Sequence, residues 1–468
     1  MLDHTDGISV PDASAAAGGK ILYLGNKAIT GGCIDSRKTQ AGDLFVAVRG
    51  ENTDGHKFID SAAKSGAAAV LISDPDVDFS CATSLGCSVI LVDDTVRAFG
   101  RIAKEHKSRC KPFTAAVTGS VGKTTTRQFV RAMLAQKYNT HSTDGNFNNE
   151  LGLPLTLMKL NSSHGAVALE LGMSQKGEIS YLTDIVRPDI AMITNIGTSH
   201  IEFFGSREGI RDAKMEIAEG LVPGGKLLLN GDEPLLRGIK DAEYVALDNK
   251  NADFRAENIR FSPDGMTFDA VIPDRTVRDC HITTLGEHTV LDAMFAVACG
   301  YFIGLGDEEI RKGLLDFEQV GMRQHIVDSD GVTYVLDYYN ASPESVKASL
   351  GITSELAKRT GGRTVACLGN MLELGDSSAA LHRSIGEFAA ALPCDILIAF
   401  GSDARLIADE AVKRGMNPDG VFAFPDISDP RPAADTLKRV LRQGDCVLFK
   451  ASNSVKLGRV AELVVKED

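Results

Sequence analysis

Apolar runs alternate with amphipathic stretches along almost the whole chain. In residues 20–110, four short apolar runs alternate with stretches of helical periodicity at 58–65 and 95–107. Residues 113–320 carry longer, near-continuous apolar runs separated by helical stretches, and a similar rhythm restarts after Gly321. Near-continuous apolar strands separated by helices are typical of parallel sheets that are covered on both faces. The pattern therefore predicts an α/β protein.

Each apolar run is interpreted as one strand. In chain order the runs are ILYL, DLFVAV, AAVLIS and SVILVD, then FTAAV, AVALE, IAMITNI and KLLLN, and finally VTYVLD, TVACLG, DILIAFG, VFAF and CVLFK. Residues 253–285 switch to short alternating segments, which predict a small antiparallel patch, and a helix at 288–304 closes that unit.

The same pattern divides the chain into an arm and three domains. We expect a loose polar arm at 1–19, a small α/β domain at 20–111, a central parallel-sheet domain at 112–320 and a Rossmann-like domain at 321–468. A chain of 468 residues agrees with three domains, because one domain typically takes roughly 150 residues. Ligands are then expected in the clefts between domains.

Composition excludes several classes of function. The formal net charge of −13 disfavours nonspecific binding to nucleic acid or to an anionic membrane. The nine cysteines show no pairing pattern and no zinc spacing, which favours reduced thiols. No apolar run reaches the length of about 20 residues that spans a bilayer, and the first residues lack the pattern of a signal peptide. We expect a cytoplasmic protein that does not insert into membranes.

The stretch FTAAVTGSVGKTTT (113–126) joins a predicted strand to a predicted helix through a glycine loop. Gly119, Ser120 and Gly122 form the loop, and Lys123 opens the helix. This arrangement points backbone N–H groups and a helix N-terminus at one spot, as in sites that hold phosphate. The sequence predicts a P-loop-type nucleotide site in the central domain.

Side chains of this stretch have expected roles. Lys123 would reach the terminal phosphates of the nucleotide, and the Thr124 hydroxyl, with Thr125 beside it, would hold Mg²⁺. The full phosphate-loop pattern has glycine where this chain has Val117, so an ordinary strand–turn–helix is the alternative.

Further polar residues follow strands at the same edge of the predicted sheet. Glu170 ends AVALE and would suit Mg²⁺ beside a phosphate loop, although a carboxylate at a strand end is often only a cap. His200 follows IAMITNI, and a lone histidine is more often structural than a ligand. Asn148 and Asn149 lie in an amide-rich segment that either binds a polar substrate or forms a turn cluster.

Taken together, five segments of the central domain resemble the Mur ligase family: TGSVGKTTT, GNFNNELGLPLTLMKL, ELGMSQKGEIS, NIGTSHIEFFGS and DAKMEI. The resemblance continues through DSR (35–37) and GDLFVAVRGENTDGHKFI (42–59), and then through YNASP, GNMLELG (369–375) and KASNS (450–454). It covers residues 20–465 in the order of the family. The motifs are most similar to those of members that join D-alanyl-D-alanine to UDP-N-acetylmuramoyl-tripeptide.

The resemblance implies an ATP-dependent amide ligase of peptidoglycan precursor synthesis. Such ligases activate a carboxylate with ATP as an acyl phosphate, which an incoming amine attacks with release of phosphate. Cations must converge, because ATP and the carboxylate carry like charges. The implied cations are Lys123 and two Mg²⁺ ions, one held by Thr124 and Glu170 and the other by His200 and Lys214.

Lys214 lies in a predicted helix from Ser206 to Gly220, along the apolar stripe that contains Ile210 and Ile217. A lysine on such a stripe must reach solvent, find a carboxylate or lose its charge, and periodicity alone favours the first outcome. The resemblance instead implies that CO₂ carbamylates Lys214, which gives an anionic oxygen ligand for the second Mg²⁺.

The resemblance also implies contacts to the nucleotide and to the substrates. Besides the glycine loop, the nucleotide contacts are His288, Asp292, Arg323 and Asp337, of which the last two would arrive when the third domain closes. The implied substrate contacts are Ser36 and Arg37 on the uridine nucleotide, and Asn148, Asn149, Asn340, Ser342, Asn370 and Asn453 elsewhere.

The chain departs from the family pattern at several of these positions. Thr289 and Asp292 stand where the family has asparagines that contact adenine and ribose. Ser342, Asn370 and Asn453 replace other polar residues where the incoming amino component binds. Two alternatives stay open: a Mur-type ligase that adds a different amino acid or a depsipeptide, and a nucleotide-dependent regulatory module that does not ligate. We expect a monomer.

Overall fold

Three separate β-sheets organise the chain. The computed structural model describes residues 7–262 and 264–466, and its sheets have five, nine and six strands. They lie, in chain order, within the three ranges that the sequence predicts for the domains, so the predicted three-domain α/β class is confirmed. The domain boundaries themselves stay predictions. No helix in the described part of the chain is long and apolar enough to cross a bilayer.

The first described residues form a packed helix, so the prediction of a loose arm at 1–19 is wrong for the described part of that range. Helix α1 (Val10–Ala17) buries Val10 and Ala13 against the longest helix of the first domain. The small residues of this stretch give no pronounced hydrophobic pattern in the sequence. In the helix, however, they form a flat face that lets two helices approach closely. Residues 1–6 lie outside the described residues.

The first sheet has the strand order β1-β5-β4-β3-β2, in which β1 pairs antiparallel with β5 and the other pairs are parallel. Its strands are β1 (Lys20–Tyr23), β2 (Gly31–Cys33), β3 (Asp43–Val46), β4 (Ala69–Ile72) and β5 (Ser88–Leu91). Its helices are α2 (Ile59–Lys64), α3 (Ser80–Ser84) and α4 (Thr95–Cys110).

The central sheet has the order β14-β13-β12-β11-β10-β9-β6-β8-β7. Its strands are β6 (Phe113–Thr118), β7 (Thr140–Ser142), β8 (Ala166–Glu170), β9 (Ile190–Ile193), β10 (Lys226–Asn230), β11 (Glu243–Ala246), β12 (Phe254–Ser262), β13 (Gly265–Ile272) and β14 (Arg275–Ile282). The pairs from β7 to β12 are parallel, and β12, β13 and β14 pair antiparallel. The predicted antiparallel patch is therefore present, as a continuation of the parallel sheet.

The helices of the central domain include a split one. They are α5 (Lys123–Leu134), α6 (Gly152–Leu157), α7 (Glu178–Val186), α8 (Ile201–Phe204), α9 (Arg207–Met215), α10 (Glu287–Phe302) and α11 (Asp307–Leu315). The single helix predicted from Ser206 to Gly220 is α9 followed by a 3₁₀ turn at Glu216–Gly220.

The third sheet has the order β15-β16-β20-β17-β18-β19, with only β15 antiparallel to its neighbour among these described strands. Its strands are β15 (His325–Ser329), β16 (Val332–Leu336), β17 (Thr364–Gly369), β18 (Cys394–Phe400), β19 (Val421–Phe424) and β20 (Cys446–Lys450). Its helices are α12 (Pro343–Thr360), α13 (Ser378–Ala391), α14 (Arg405–Lys413), α15 (Arg431–Val440) and α16 (Gly458–Val464).

One buried apolar cluster extends across the first and central domains, and each of them also has a cluster of its own. Phe99 and Ile102 of α4 belong to the same buried cluster as Leu153 of α6 and Ile185 of α7. The third domain has two clusters of its own, whose members all fall within residues 322–465. By its core, then, the third domain is the separate unit of the molecule.

The carboxyl ends of β9, β6 and β8 lie side by side in the central sheet. The loops after these strands carry His200, the glycine loop and Glu170. Ligands of open parallel sheets bind at this edge, and the third domain contacts the same edge through a hydrogen bond between Glu344 and Thr198.

Candidate active site

A cavity of about 1240 Å³ lies between the central and third domains. It is lined by most of the residues that the sequence predicts for nucleotide, metal and catalysis: Ser120, Gly122, Lys123, Thr124, Thr125, Glu170, His200, Lys214, His288, Asp292, Arg323 and Asp337. Gly119 is not among the lining residues, but its carbonyl accepts a hydrogen bond from Lys123 Nζ at 2.7 Å. The structure thus brings residues from distant parts of the sequence to one place.

The glycine loop is held by the loop that follows β9. The N–H groups of Ser120 and Val121 donate to Asn195 Oδ1 at 3.0 and 2.9 Å, and the Thr194 hydroxyl donates to the Val121 carbonyl at 2.6 Å. Those two loop amides are therefore engaged within the protein. The N–H groups that can receive phosphate are those at the start of α5, where no side chain caps the helix.

Gly122 brings the loop against a buried carboxylate. Its φ is 84°, and a Cβ at this position would lie 2.6 Å from Asp292 Oδ1, so only glycine fits. Asp292 of α10 accepts a hydrogen bond from the Thr126 hydroxyl at 2.9 Å, and burial raises its pKa well above the usual range. Asp292 lines the cavity, and its predicted contact to the nucleotide stays a prediction.

Lys123 faces the cavity from the first turn of α5. Burial lowers its pKa, the negative charge of Glu170 raises it and the positive charge of Arg323 lowers it further. The charges of two domains therefore act on this one ammonium group. An ammonium group here can reach an anionic ligand that lies between the domains.

Thr124 and Glu170 form an oxygen-rich pair beside the loop. The Thr124 hydroxyl donates to Glu170 Oε2 at 2.8 Å, and Asn148 Nδ2 donates to Oε1 at 2.8 Å, so both carboxylate oxygens are oriented. A hydroxyl and a carboxylate beside a phosphate loop fit Mg²⁺, which completes its shell with phosphate oxygens and water. The described residues contain no group of three or more His, Cys, Asp or Glu around one point, and an Mg²⁺ ion bound with ATP does not need one.

Lys214 is almost completely enclosed. Its side chain lines the cavity, and the residue is 2% exposed. Burial lowers its pKa well below the usual range, and the next cause is the positive charge of Lys123. The sequence left three outcomes open for this lysine: it reaches solvent, finds a carboxylate or loses its charge. Its burial contradicts the first of these outcomes.

His200 lies where the two domains meet. Its φ is 64°, and its Nδ1 is 2.6 Å from Oε2 of Glu373, a residue of the third domain with a φ of 63°. The close imidazole of His200 lowers the pKa of Glu373. The role of His200 as a metal ligand stays a prediction.

The third domain presents an arginine and a buried ion pair. Arg323 lies over Tyr339, with Cζ 3.8 Å from the ring centroid. Asp337 Oδ2 accepts hydrogen bonds from Lys450 Nζ at 2.7 Å and from the Ser349 hydroxyl at 2.6 Å. Arg323 therefore stacks on Tyr339 and lines the cavity, whereas Asp337 is fixed by partners of its own domain.

His288 connects α10 to the start of the third domain. Its Nε2 lies 2.7 Å from Gln324 Nε2, and burial lowers its pKa to about 4. The imidazole is neutral at pH 7 and offers one donor and one acceptor to its surroundings.

The predicted substrate contacts divide into two groups. The cavity is lined by Asn148, Asn149, Asn340 and Ser342, while Ser36, Arg37, Asn370 and Asn453 do not line it. Asn370 Oδ1 accepts from the Ala404 N–H at 2.8 Å, next to the start of α14. Asn453 accepts from Lys456 Nζ at 3.2 Å on an exposed 3₁₀ turn.

Ser36 and Arg37 lie in the first domain, in the loop before β3. Arg37 Nη2 is 2.8 Å from Asp35 Oδ2, and the arginine side chain is 85% exposed. An exposed pair of this kind contributes little to stability and can open to receive an anion. Their role on the uridine nucleotide stays a prediction.

Several site residues were missed from the sequence. They are Asn195 behind the glycine loop, Glu344 and Glu373 across the domain contact, Lys450 beside Asp337, and Arg97 in the cavity wall. Glu344, Glu373 and Lys450 lie within or beside the segments YNASP, GNMLELG and KASNS, so those segments carried a signal that could have found them.

The chain matches three family descriptions along its length. Residues 28–107 match the Mur ligase family, catalytic domain; residues 117–300 match the Mur ligase middle domain; and residues 322–453 match the Mur ligase, glutamate ligase domain. The three matches follow the order of the three sheets.

Curated relatives and solved structures agree with these matches. The UDP-N-acetylmuramoyl-tripeptide--D-alanyl-D-alanine ligase of Bacillus subtilis is 36% identical over 444 residues, which cover 94% of this chain and 93% of that protein. The MurF ligase of Thermotoga maritima, solved in complex with ADP, has a TM-score of 0.80 at 28% identity and covers 93% of this chain and 96% of its own. The UDP-N-acetylmuramoylalanyl-D-glutamyl-2,6-diaminopimelate--D-alanyl-D-alanyl ligase of Acinetobacter baumannii has a TM-score of 0.82 at 26% identity, with 99% of both chains covered.

Proposed function

The chain belongs to the Mur ligase family, and from this premise we propose that it is the ATP-dependent ligase that joins D-alanyl-D-alanine to UDP-N-acetylmuramoyl-tripeptide. The observation that carries the proposal is one cavity lined by the uncapped start of α5, by Lys123 and the buried Lys214, and by Arg323 of the third domain. The reaction belongs to peptidoglycan precursor synthesis, and we place it in the cytoplasm, in a monomer.

ATP lies with its phosphates at the start of α5. The N–H groups of the first turn and Lys123 Nζ bind the β- and γ-phosphates, and Arg323 approaches from the third domain. These cations lower the repulsion between the γ-phosphate and the carboxylate of the tripeptide, whose oxygen attacks the phosphorus while the bond to ADP breaks. The product is an acyl phosphate.

The incoming amine then attacks the acyl carbon. The amino group of D-alanyl-D-alanine must arrive neutral; it forms the C–N bond, loses a proton, and phosphate leaves with the electrons of the C–O bond. Asn340 and Ser342 line the cavity on the side of the third domain, where the amine would enter. ADP and phosphate are released when the domain reopens.

Thr124 and Glu170 would hold the first Mg²⁺, and His200 with a carbamylated Lys214 would hold the second. Magnesium supplies charge neutralisation and in-line alignment of the phosphates when it is bound. Burial and the charge of Lys123 favour the neutral amine of Lys214. A neutral amine attacks CO₂, forms a C–N bond and releases one proton, which leaves an anionic carbamate whose oxygens can bind Mg²⁺.

Product analysis tests the function directly. The enzyme is incubated with ATP and each combination of a lysine- or diaminopimelate-containing UDP-tripeptide with a panel of amino acids, dipeptides and depsipeptides, and products are identified by mass spectrometry. We expect a UDP-pentapeptide with D-alanyl-D-alanine, and phosphate release that needs both substrates. Ligation of another amine would reassign the amino component. Phosphate release that is independent of both substrates would indicate a regulatory ATPase instead.

A further inference from the structure

The first domain reaches the cavity through Arg97, near the start of α4. Of the described residues that line the cavity, Arg97 is the only one that precedes the central domain. Its backbone is fixed, because Asp94 caps α4 by accepting a hydrogen bond from the Arg97 N–H at 3.0 Å. The side chain therefore extends from a rigid helix start into a space that the other two domains otherwise build.

The guanidinium of Arg97 is oriented by an aromatic ring of the central domain. Its Cζ lies 4.0 Å from the ring centroid of Tyr181 on α7, which also lines the cavity. Stacking fixes the plane of a guanidinium and leaves its N–H groups free within that plane. In-plane N–H pairs bind the two oxygens of a carboxylate.

The acidic neighbour of Arg97 does not saturate it. Oε2 of Glu150 is 3.7 Å from Arg97 Nη2, and the two side chains are 50% and 47% exposed. Charge-assisted N–H···O bonds are shorter, at about 2.7–2.9 Å, and a half-exposed pair at longer distance contributes little. Arg97 can therefore bind a second anion without leaving its stacked position.

The substrate carries suitable anions. A UDP-linked tripeptide that is anchored in the first domain and activated at Lys123 must extend from one domain to the other, and α4 packs between the two. An alanyl-D-glutamyl-diaminopimelyl chain has a free glutamyl carboxylate and a second diaminopimelyl carboxylate besides the one that is activated. Each of these two carboxylates could accept a pair of N–H groups from the Arg97 guanidinium.

We propose that Arg97 binds a non-reacting carboxylate of the UDP-linked peptide and so helps the enzyme to select this peptide. The inference rests on the proposed function and deepens it. This contact would hold the peptide between the uridine nucleotide site of the first domain and the phosphate loop. The carboxylate that is to be activated would then lie in a defined position beside ATP.

Arg97→Ala is tested beside Lys104→Ala. Lys104 lies two turns later on α4 and pairs with Asp184 of α7 at 2.7 Å, so its variant removes a contact between the same two helices away from the cavity. For Arg97→Ala we expect the KM for the UDP-tripeptide, and its equilibrium dissociation constant measured by calorimetry, to rise roughly 10- to 100-fold. The KM values for ATP and dipeptide should change less than about twofold. Arg97→Lys should be intermediate, because it keeps the charge but loses the fork.

Two altered substrates identify the carboxylate. In one the glutamyl carboxylate is amidated, and in the other lysine replaces diaminopimelate. The change that weakens binding to the native enzyme but not to Arg97→Ala marks the bound group. If Arg97→Ala matches Lys104→Ala in all constants, or if both altered peptides weaken binding equally in the native enzyme and in Arg97→Ala, the proposal is wrong. Absence of ligation by the native enzyme would instead overturn the proposed function, whereas the calorimetric comparison would still decide on Arg97.

Discussion

Lys123 and the buried Lys214 place two amino groups in the wall of one cavity. Burial lowers the pKa of both, but Glu170 raises the pKa of Lys123, while Lys214 is lowered further by Lys123 itself. Two adjacent ammonium groups are costly to bury. The arrangement therefore favours a division in which Lys123 keeps its proton and meets phosphate, and Lys214 gives up its proton.

Removal of the Lys123 ammonium is expected to abolish most turnover without weakening the binding of the UDP-tripeptide. Lys123→Ala should lower kcat by roughly 100-fold or more, because a cation that stabilises developing charge is lost. Binding of the UDP-tripeptide, measured by calorimetry, should stay within about twofold of the native value. Lys159→Ala, which removes an exposed ion pair to Asp144, serves as the control. Normal turnover of Lys123→Ala would contradict the nucleotide site.

Lys214→Ala is expected to lose most activity and to recover part of it with added short carboxylic acids. The vacated space can hold a small carboxylate in place of the carbamate oxygens. Steady-state phosphate release is measured with and without acetate or propionate. Lys123→Ala provides the control, since the same acids should not rescue it. Near-native turnover of Lys214→Ala in buffer depleted of CO₂ would show that no carbamate is needed.

At the scale of single elements, apolar runs located the central strands of all three sheets, since a buried parallel strand needs an uninterrupted apolar sequence. Four strands were missed: β2, β7, β11 and β15. They are short or partly polar, and β2 has the sequence GGC, without side chains that favour a strand. Helix α1 escaped because its buried face consists largely of alanines. Carboxyl strand ends placed Glu170, His200 and the glycine loop together correctly. Asn195 follows the end of β9 but was missed because the predicted strand IAMITNI included it. Arg97 could not be found in this way, because its aromatic partner Tyr181 is far away in sequence.

The turn between β6 and α5 depends on a glycine that has no room for a side chain. Gly122→Ala should weaken ATP binding about tenfold or more, because it adds left-handed strain of about 1–2 kcal/mol and brings a Cβ to 2.6 Å from Asp292 Oδ1. Gly145→Ala is matched to it, since Gly145 has a φ of 52° and no atom near its Cβ position within 4 Å. ATP binding is measured by calorimetry. Equal, small effects of both variants would show that the loop tolerates a displacement of Asp292.

At the scale of the whole molecule, two carboxylates of the third domain hold it against the central one. Glu344 Oε1 accepts hydrogen bonds from the Thr198 N–H at 2.9 Å and from its hydroxyl at 3.0 Å. Glu373 contacts His200 at 2.6 Å. Since the cavity has walls from both domains, we expect these contacts to stabilise the closed arrangement that the proposed reaction needs.

Glu344→Ala is expected to lower kcat roughly 10-fold or more, because hydrogen bonds to a charged group that exist only in the closed state are lost. Binding of ATP to the central domain should change far less. Glu355→Ala, on the same helix but paired only at the surface with Lys358 and Arg359 in the described structure, is the control. Steady-state kinetics and equilibrium ATP binding are compared. Unchanged kcat in Glu344→Ala would mean that this contact does not hold the closed arrangement.

The buried apolar cluster that joins the first two domains has a consequence for how the molecule unfolds. Residues of α4, α6 and α7 pack in that cluster and cannot lose their packing separately, whereas none of the buried clusters in the described chain joins the third domain to the first two. The chain should therefore behave as two cooperative units rather than three. Scanning calorimetry of the free enzyme is expected to resolve two unfolding transitions. Substitutions that remove the contacts of Arg101 and Lys104 on α4 should shift only the transition of the first two domains. Three resolved transitions would contradict the shared core. In its stability the molecule is thus divided at one boundary, which is also where the cavity lies.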